Sequence, residues 1–221
     1  MPEAALAPTD ALLEALAGVE LPTLGHFLED GFCDLRLRPI SEVSRMAGPA
    51  VTVDLTEPDA IAVNRALLRV QPGDVLVIRV HGGRHAPVGA VTAAAAIARG
   101  AAGIVVEGPV TDVAALRATA HVLPVFATGI TPLTTKRLGT AVDGVGAPVV
   151  VGGVAIATGD LVAGDENGVL AFAPGSVDPA VFADALRSDL DEPELISRIR
   201  RRDPLETLLA IQPPISRKAT P

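Results

Sequence analysis

Asp112 is the carboxylate in this chain best placed by its sequence context to do chemistry. It follows Thr111 at the end of residues 103–112, where an apolar run at 104–106 predicts a buried strand that stops at a Gly-Pro turn. A carboxylate at the end of such a strand is typical of ligand sites in α/β folds. An aspartate is equally suited to cap the helix predicted at residues 113–119. Both interpretations of Asp112 stay open.

A second chemically rich segment is the loop at residues 81–87, which contains His81, Arg84 and His85. It lies just before a helix predicted from residue 88, and the backbone N–H groups at a helix start attract anions. Arg84 supplies positive charge there. Either histidine is suited to acid–base catalysis near neutral pH or to metal ligation. The alternative is a polar surface loop without a catalytic role.

The composition bounds the kinds of protein this can be. Of the 221 residues 49% are hydrophobic and only 2% aromatic, which predicts a large aliphatic core. No apolar run approaches the roughly 18 residues of a membrane span, and the start of the chain has no basic residue typical of a secretory signal. A formal net charge of −8 disfavours nucleic-acid binding. The single cysteine, Cys33, excludes an internal disulfide. We therefore expect a cytoplasmic protein with no membrane or nucleic-acid partner.

Strand-like and helix-like segments alternate along the chain, which predicts a single α/β domain. We expect an N-terminal helix within residues 1–20, the α/β domain at 21–175, a C-terminal helical segment at 176–211 and a disordered tail at 212–221. The C-terminal segment divides into two predicted amphipathic helices. Further elements are predicted from periodicity and turn residues: helices at 22–30, 59–70 and 88–99, and strands at 49–55, 75–80, 123–127, 149–151, 154–157, 161–163 and 169–172.

Ordered motifs across residues 22–174 resemble the RraA-like family of metal-dependent 4-hydroxy-4-methyl-2-oxoglutarate aldolases, oxaloacetate decarboxylases and regulators of ribonuclease activity. The motifs that carry the resemblance are Gly48-Pro-Ala-Val-Thr-Val, Gln71-Pro-Gly-Asp-Val-Leu-Val, Gly89 at a helix start, Gly103-Ile-Val-Val-Glu-Gly, Val125-Phe-Ala-Thr-Gly-Ile-Thr-Pro, Pro148-Val-Val-Val-Gly-Gly-Val and Gly159-Asp-Leu-Val-Ala-Gly-Asp-Glu-Asn-Gly-Val. The resemblance implies a swivelling β/β/α domain with C-terminal helices, assembled as a homotrimer or homohexamer with sites near subunit boundaries.

The resemblance also implies a site. In catalytic members an acidic residue follows the helix-starting glycine, and an Arg-Asp pair binds substrate and Mg²⁺ or Mn²⁺. Gly89 and Asp112 match this pattern, whereas Ala90 replaces the acid and Thr111 the arginine. We expect Gly89, Ala90, Val91 and Thr111 to contact substrate, and Asp112 to hold at most a weakly bound divalent ion, because Mg²⁺ usually needs more carboxylate or substrate oxygens.

Three functions follow as hypotheses. The first is a divergent lyase that cleaves a carbon–carbon bond of a small oxygen-rich metabolite through an enolate, with standard keto-acid aldolase activity weak or absent. The second is a non-catalytic, regulator-like scaffold that binds a protein partner. The third is a metal-independent enzyme of specialised metabolism in which His81, Arg84 or His85 is catalytic.

Overall fold

A seven-stranded mixed sheet with helices on one face forms the body of the molecule. The computed structural model describes residues 8–41 and 45–210, with side chains described from residue 11 onward. The sheet order is β1-β5-β4-β3-β2-β8-β9, and a separate hairpin pairs β6 with β7. The predicted tail at 212–221 and the beginning of the N-terminal segment lie outside the described residues. The strands are β1 (Arg38–Pro39), β2 (Met46–Leu55), β3 (Val75–Val80), β4 (Gly103–Val110), β5 (Val125–Ile130), β6 (Val149–Val151), β7 (Val154–Ile156), β8 (Leu161–Asp165) and β9 (Gly168–Phe172).

Six α-helices accompany these strands within the described residues: α1 (Pro8–Gly18), α2 (Leu21–Leu24), α3 (Ala60–Leu67), α4 (Ala90–Ala98), α5 (Val113–Ala118) and α6 (Pro179–Arg200). None of the described helices has both the length and the apolar content needed to cross a bilayer. The α/β class predicted from the alternating pattern is confirmed.

The four central strands, β2 to β5, run parallel to one another. They are rich in valine and isoleucine and are mostly buried, as expected for parallel strands covered on both faces. Helices α3, α4 and α5 connect them and pack on one face. The carboxyl ends of the four strands therefore lie at one edge of the sheet, where the connecting loops can meet.

The other face of the sheet is covered by β structure instead of helices. Residues of the β6–β7 hairpin, such as Val149 and Val151, pack with Val77, Val105 and Phe126 of the central strands. A third apolar cluster joins β8 and β9 to α1, α2 and α6. The terminal helices thus lie over the β8–β9 end of the sheet, away from the loops at the carboxyl edge.

Strand β4 corrects one expectation. Residues 108–109 do not form the predicted turn, because β4 continues through them to Val110. The ladder between β4 and β5 shifts register between Val106 and Pro109. Such a bulge accommodates a proline inside a strand, since the ladder hydrogen bonds are already interrupted there. Thr111 and Asp112 consequently follow a longer strand than predicted.

Two helix predictions also need correction. The helix expected at residues 22–30 is only the four-residue α2, because the chain turns at Gly25. The two predicted C-terminal helices are one continuous helix, α6, which includes Pro193. Proline removes one backbone donor from a helix interior but does not always end the helix. The side chain of Asp189 anchors α6 by accepting hydrogen bonds from the Glu20 backbone N–H, at 2.9 Å, and from the Thr23 hydroxyl.

A buried carboxylate fixes the loop that follows β5. Asp59 is fully buried at the start of α3, where its Oδ1 accepts from the Ile61 backbone N–H at 2.9 Å. The same side chain accepts from backbone N–H groups of residues Leu138 and Ala141, at 3.2 and 3.0 Å. Burial by itself raises the pKa of the Asp59 carboxyl. The backbone hydrogen bonds outweigh that effect and hold the pKa below its usual range.

Candidate active site at the carboxyl edge of the sheet

Asp112 occupies an unusual backbone conformation directly after β4. Its φ and ψ are 52° and 41°, the left-handed region that non-glycine residues seldom adopt. It stands at the N-cap of α5, but its side chain makes no capping bond to that helix. Instead Oδ2 accepts a hydrogen bond from the Ala90 backbone N–H, at 2.9 Å, at the start of α4. The carboxylate therefore links the end of β4 to the helix that follows β3.

Gly89 lies in close contact with this carboxylate. A Cβ at Gly89 would stand 2.5 Å from Oδ2 of Asp112 and 2.7 Å from Cγ2 of Thr111. The Thr111 backbone N–H also donates to the Val88 carbonyl at 2.9 Å. Gly89, Ala90, Thr111 and Asp112 thus form one compact group, which we call the Asp112 site. Any larger residue at position 89 would push Asp112 away.

The start of α4 offers donors to a ligand. The first four N–H groups of a helix have no partner within it. Ala90 has Asp112 as a partner, whereas no described residue accepts from the next two amides, of Val91 and Thr92, which face an anion site at the positive end of the helix dipole. The Val91 side chain is 85% exposed beside them.

The residues at this site fit a divalent metal poorly. Within residues 8–41 and 45–210, no three His, Cys, Asp or Glu side chains are grouped so as to hold a metal ion. Asp112 is the one carboxylate of the Asp112 site, and one of its oxygens already bonds the Ala90 amide. Ala90 has no ligating atom in its side chain. A Mg²⁺ or Mn²⁺ ion would have one carboxylate here and would otherwise need neutral oxygens, such as those of water or substrate.

The two histidines of the loop at residues 81–87 lie in different surroundings. His81 Nε2 lies 2.8 Å from Oδ1 of Asp54, which is near the carboxyl end of β2. The His81 side chain is 39% exposed and that of Asp54 24%. Such a carboxylate fixes the orientation of the ring and leaves Nδ1 accessible. His85 is half-buried and forms no hydrogen bond or ion pair with any described residue.

Arg84 lies elsewhere in this loop, on a cleft of about 410 Å³ beside the ends of β4 and β5. Its guanidinium forms no hydrogen bond or ion pair in the described part of the chain. Gly89, Ala90, Thr111 and Asp112 are not among the residues that line this cleft. His81 and His85 are likewise absent from its lining, so the three loop residues predicted to be catalytic do not share this cleft.

Sequence reasoning missed three residues of this edge: Asp54, Thr128 and Thr131. Asp54 pairs with His81, and the two threonines line the cleft beside Arg84. One signal was available for Asp54, because it comes near the end of a predicted strand next to the one that precedes His81. The two threonines lie near the end of another predicted strand, but hydroxyls are too common at strand ends to single them out.

Glu107 and Cys33 lie on the hairpin-covered face of the sheet. Glu107 Oε2 accepts a hydrogen bond of 2.5 Å from the Gly152 backbone N–H, which joins β4 to the β6–β7 hairpin. Burial raises the pKa of the Cys33 thiol to about 12, and the nearby Glu107 carboxylate adds to that rise. Cys33 is therefore a protonated thiol at neutral pH. A protonated thiol is a poor nucleophile.

The mixed sheet, with its parallel centre and helices on one face, places the chain among the α/β proteins. Comparison with known proteins gives the family. The family model described as "RraA-like: Aldolase/RraA" matches residues 12–171. The chain belongs to the RraA-like family.

Individual relatives agree with this assignment. A Halalkalibacterium halodurans protein named putative 4-hydroxy-4-methyl-2-oxoglutarate aldolase is 35% identical over 149 residues, which covers 66% of this chain and 69% of that protein. Streptomyces coelicolor RraAS2, described as an unusual member of the RNase ES inhibitor RraA protein family, superposes with a TM-score of 0.66 at 26% identity, over 87% of this chain and 98% of that one. The RNA-processing inhibitor RraA from Thermus thermophilis gives 0.62 at 28% identity, over 72% and 96%.

Proposed function

We propose that this protein is a divergent lyase that cleaves a carbon–carbon bond of a small, oxygen-rich carboxylate at the Asp112 site through an enolate. The observation that carries the proposal is the left-handed backbone of Asp112, whose exposed carboxylate turns back to the start of α4. Strained backbone at the end of a strand is concentrated at functional sites, because only surrounding structure can maintain it. The relative named as an aldolase supports the same class of reaction.

The residues have distinct roles in this proposal. The amide donors of Val91 and Thr92 and the dipole of α4 stabilise the negative oxygen of the enolate. Asp112 holds the first amide of α4 in place, and its second carboxylate oxygen is positioned to accept a proton from the substrate or from water. Gly89 keeps the two segments in contact. A divalent ion, when bound, would polarise a keto oxygen, but the site offers it little protein ligation.

We expect standard keto-acid cleavage to be weak. Thr111 has no positive charge with which to bind a substrate carboxylate. The side chain of Ala90 has no oxygen with which to ligate a cation. By analogy with the loss of a single oxyanion donor, replacement of an arginine by threonine here costs roughly 10²–10³ in rate. The expected weakness can be tested, because an acidic residue can be introduced at position 90 and an arginine at position 111.

The test compares wild type with the double variant Ala90→Asp/Thr111→Arg. Pyruvate release from oxaloacetate is measured with Mg²⁺ or Mn²⁺, above a blank that contains metal without protein. We expect low turnover by wild type and a rise of roughly 10²-fold in the double variant. Adding Asp112→Asn to the double variant should abolish the gain. Robust turnover by wild type would contradict the expected weakness of keto-acid cleavage, and no gain in a folded double variant would contradict the assignment of the reaction to the Asp112 site.

A regulator-like scaffold is the second candidate function, and the uncharged side chains of Ala90 and Thr111 favour it. The two solved relatives described as inhibitors of RNA processing or of a ribonuclease give it further support. A scaffold would bind a protein partner without turning over a substrate. It predicts that wild type and Asp112→Asn inhibit a ribonuclease, such as RNase ES, equally well. It also predicts that neither wild type nor the double variant cleaves a keto acid.

The third candidate is a metal-independent enzyme, and the His81–Asp54 pair favours it. Replacement of His81 by glutamine would then abolish an activity that a chelator leaves intact. The same substitution would leave turnover by the Ala90→Asp/Thr111→Arg variant unchanged if Asp112 is the centre of the reaction.

A further inference from the structure

We propose that the cleft beside Arg84 is a second ligand site, which binds the carboxylate or phosphate group of a small molecule. We call it the Arg84 cleft. Its volume is about 410 Å³, within the range of small-molecule sites. The residues that carry the argument are Gly83, Arg84, Pro109, Thr128, Gly129 and Thr131.

Three chain segments build this cleft. Gly83 and Arg84 belong to the loop after β3, Pro109 lies in the bulged part of β4, and Thr128 and Gly129 lie near the end of β5. Neighbouring contacts hold the walls: the Ala86 N–H donates to the Leu133 carbonyl at 2.8 Å. The cleft is therefore built by bonded segments of the sheet edge and is not a gap between mobile surface chains.

Hydrogen-bond donors point to an oxyanion. Arg84 carries five N–H donors in a planar fork that matches a carboxylate or phosphate, and no described residue uses them. Thr128 is exposed and likewise forms no side-chain hydrogen bond with a described residue. Thr131 Oγ1 accepts from the Leu133 N–H at 3.2 Å, which leaves its hydroxyl hydrogen free to donate.

The charge of the cleft supports the same conclusion. The protein as a whole has a formal net charge of −8, yet Arg84 is the one charged side chain among the described residues that line the cleft. Arg84 therefore gives this cleft a positive charge on a protein whose net charge is negative, which favours an anion as its ligand. Arg84 is, in this view, a binding residue and not a catalytic one.

The proposal does not depend on the proposed lyase activity, because binding is measured without turnover. Isothermal titration calorimetry in Tris chloride follows sodium phosphate and sodium succinate separately, with the full-length protein. Arg84→Ala removes the guanidinium, and Thr128→Val removes one hydroxyl while keeping the shape of the side chain. The matched control is Arg65→Ala, since Arg65 is an exposed arginine on α3 whose side chain forms no hydrogen bond or ion pair with a described residue.

At least one of the two anions should bind wild type, with a Kd that rises about tenfold or more in Arg84→Ala and about two- to tenfold in Thr128→Val. The Kd should change less than about twofold in Arg65→Ala. Tighter binding of phosphate indicates a phosphorylated ligand, tighter binding of succinate a dicarboxylate, and equal binding a general oxyanion site. The proposal is overturned if neither anion binds, if Arg84→Ala binds like wild type, or if Arg65→Ala weakens binding equally.

Discussion

At the residue scale, Asp112 destabilises the fold through its backbone conformation and stabilises it through a hydrogen bond. Substitutions can separate these two effects. The left-handed backbone costs a non-glycine residue about 1 kcal/mol, and the hydrogen bond to the Ala90 N–H contributes about the same. Alanine at position 112 would keep the strain and lose the bond, whereas glycine would lose both. We expect Asp112→Gly to be more stable than Asp112→Ala by about 1 kcal/mol in the free energy of unfolding, measured with urea.

Asp191 is the matched control for this pair, because it is exposed within α6. There the order should reverse, with Asp191→Gly about 1 kcal/mol less stable than Asp191→Ala. If glycine is the less stable residue at both positions, the left-handed conformation of Asp112 is not a source of strain, and the main support for the proposed function is lost.

Some residues and contacts of the candidate site could be predicted from the sequence, and others could not. Asp112 and Gly89 were identifiable, because each stands in a motif with a defined place relative to a strand or helix. The hydrogen bond from Ala90 to Asp112 was not, since it joins residues 22 positions apart. Nor could the separation of Arg84 from His81 be predicted, because the directions of neighbouring side chains in a glycine-rich loop depend on tertiary contacts.

At the scale of elements, Asp59 connects the start of α3 to the loop at residues 138–141. Its folded-state pKa is lowered, so the stability that it contributes is present above the unfolded pKa of about 4 and is lost as the pH falls through the folded value. In Asp59→Asn, the side-chain NH₂ group replaces one carboxylate oxygen and faces a backbone N–H donor that it cannot accept from. We expect the variant to be about 2 kcal/mol less stable than wild type at pH 7.

This difference should shrink as the pH falls below about 4, because wild type then also loses the carboxylate. Thermal unfolding at pH 7, 5, 4 and 3.5 measures it, with Asp191→Asn as a surface control that should match wild type throughout. A difference that stays constant down to pH 3.5 would show that the ionised carboxylate is not what holds the loop.

Most central elements could be predicted because their sequences satisfy local rules. The continuous valine and isoleucine runs of β3 and β4, and the glycines that follow helices, identify strands and helix ends without tertiary information. The errors arose where a local rule was overridden. Pro109 lies in a strand because a bulge tolerates it, and Pro193 lies in a helix whose anchoring is supplied by Asp189. Strand β1 is two residues long and exists through its pairing with β5.

At the scale of the whole molecule, we expect the edge that carries the Asp112 site, with the exposed side chain of Val91, to lie in a subunit interface. The family resemblance implies a homotrimer or homohexamer, and burial of apolar surface would favour such an interface. Val91→Asp should therefore reduce the mass measured by size-exclusion chromatography with light scattering. Leu68, also exposed, follows α3 at the opposite edge of the sheet, and Leu68→Asp should leave the mass unchanged. A monomeric wild type, or equal effects of both variants, would contradict this expectation.

The protonated thiol of Cys33 makes the protein convenient for site-specific labelling. A maleimide reacts with thiolates, and the sole natural cysteine stays almost entirely un-ionised at neutral pH. A cysteine introduced on the surface, for example at Arg65, should then react much faster than the native one. Fluorophores attached there could report ligand occupancy or subunit exchange in an otherwise unaltered chain.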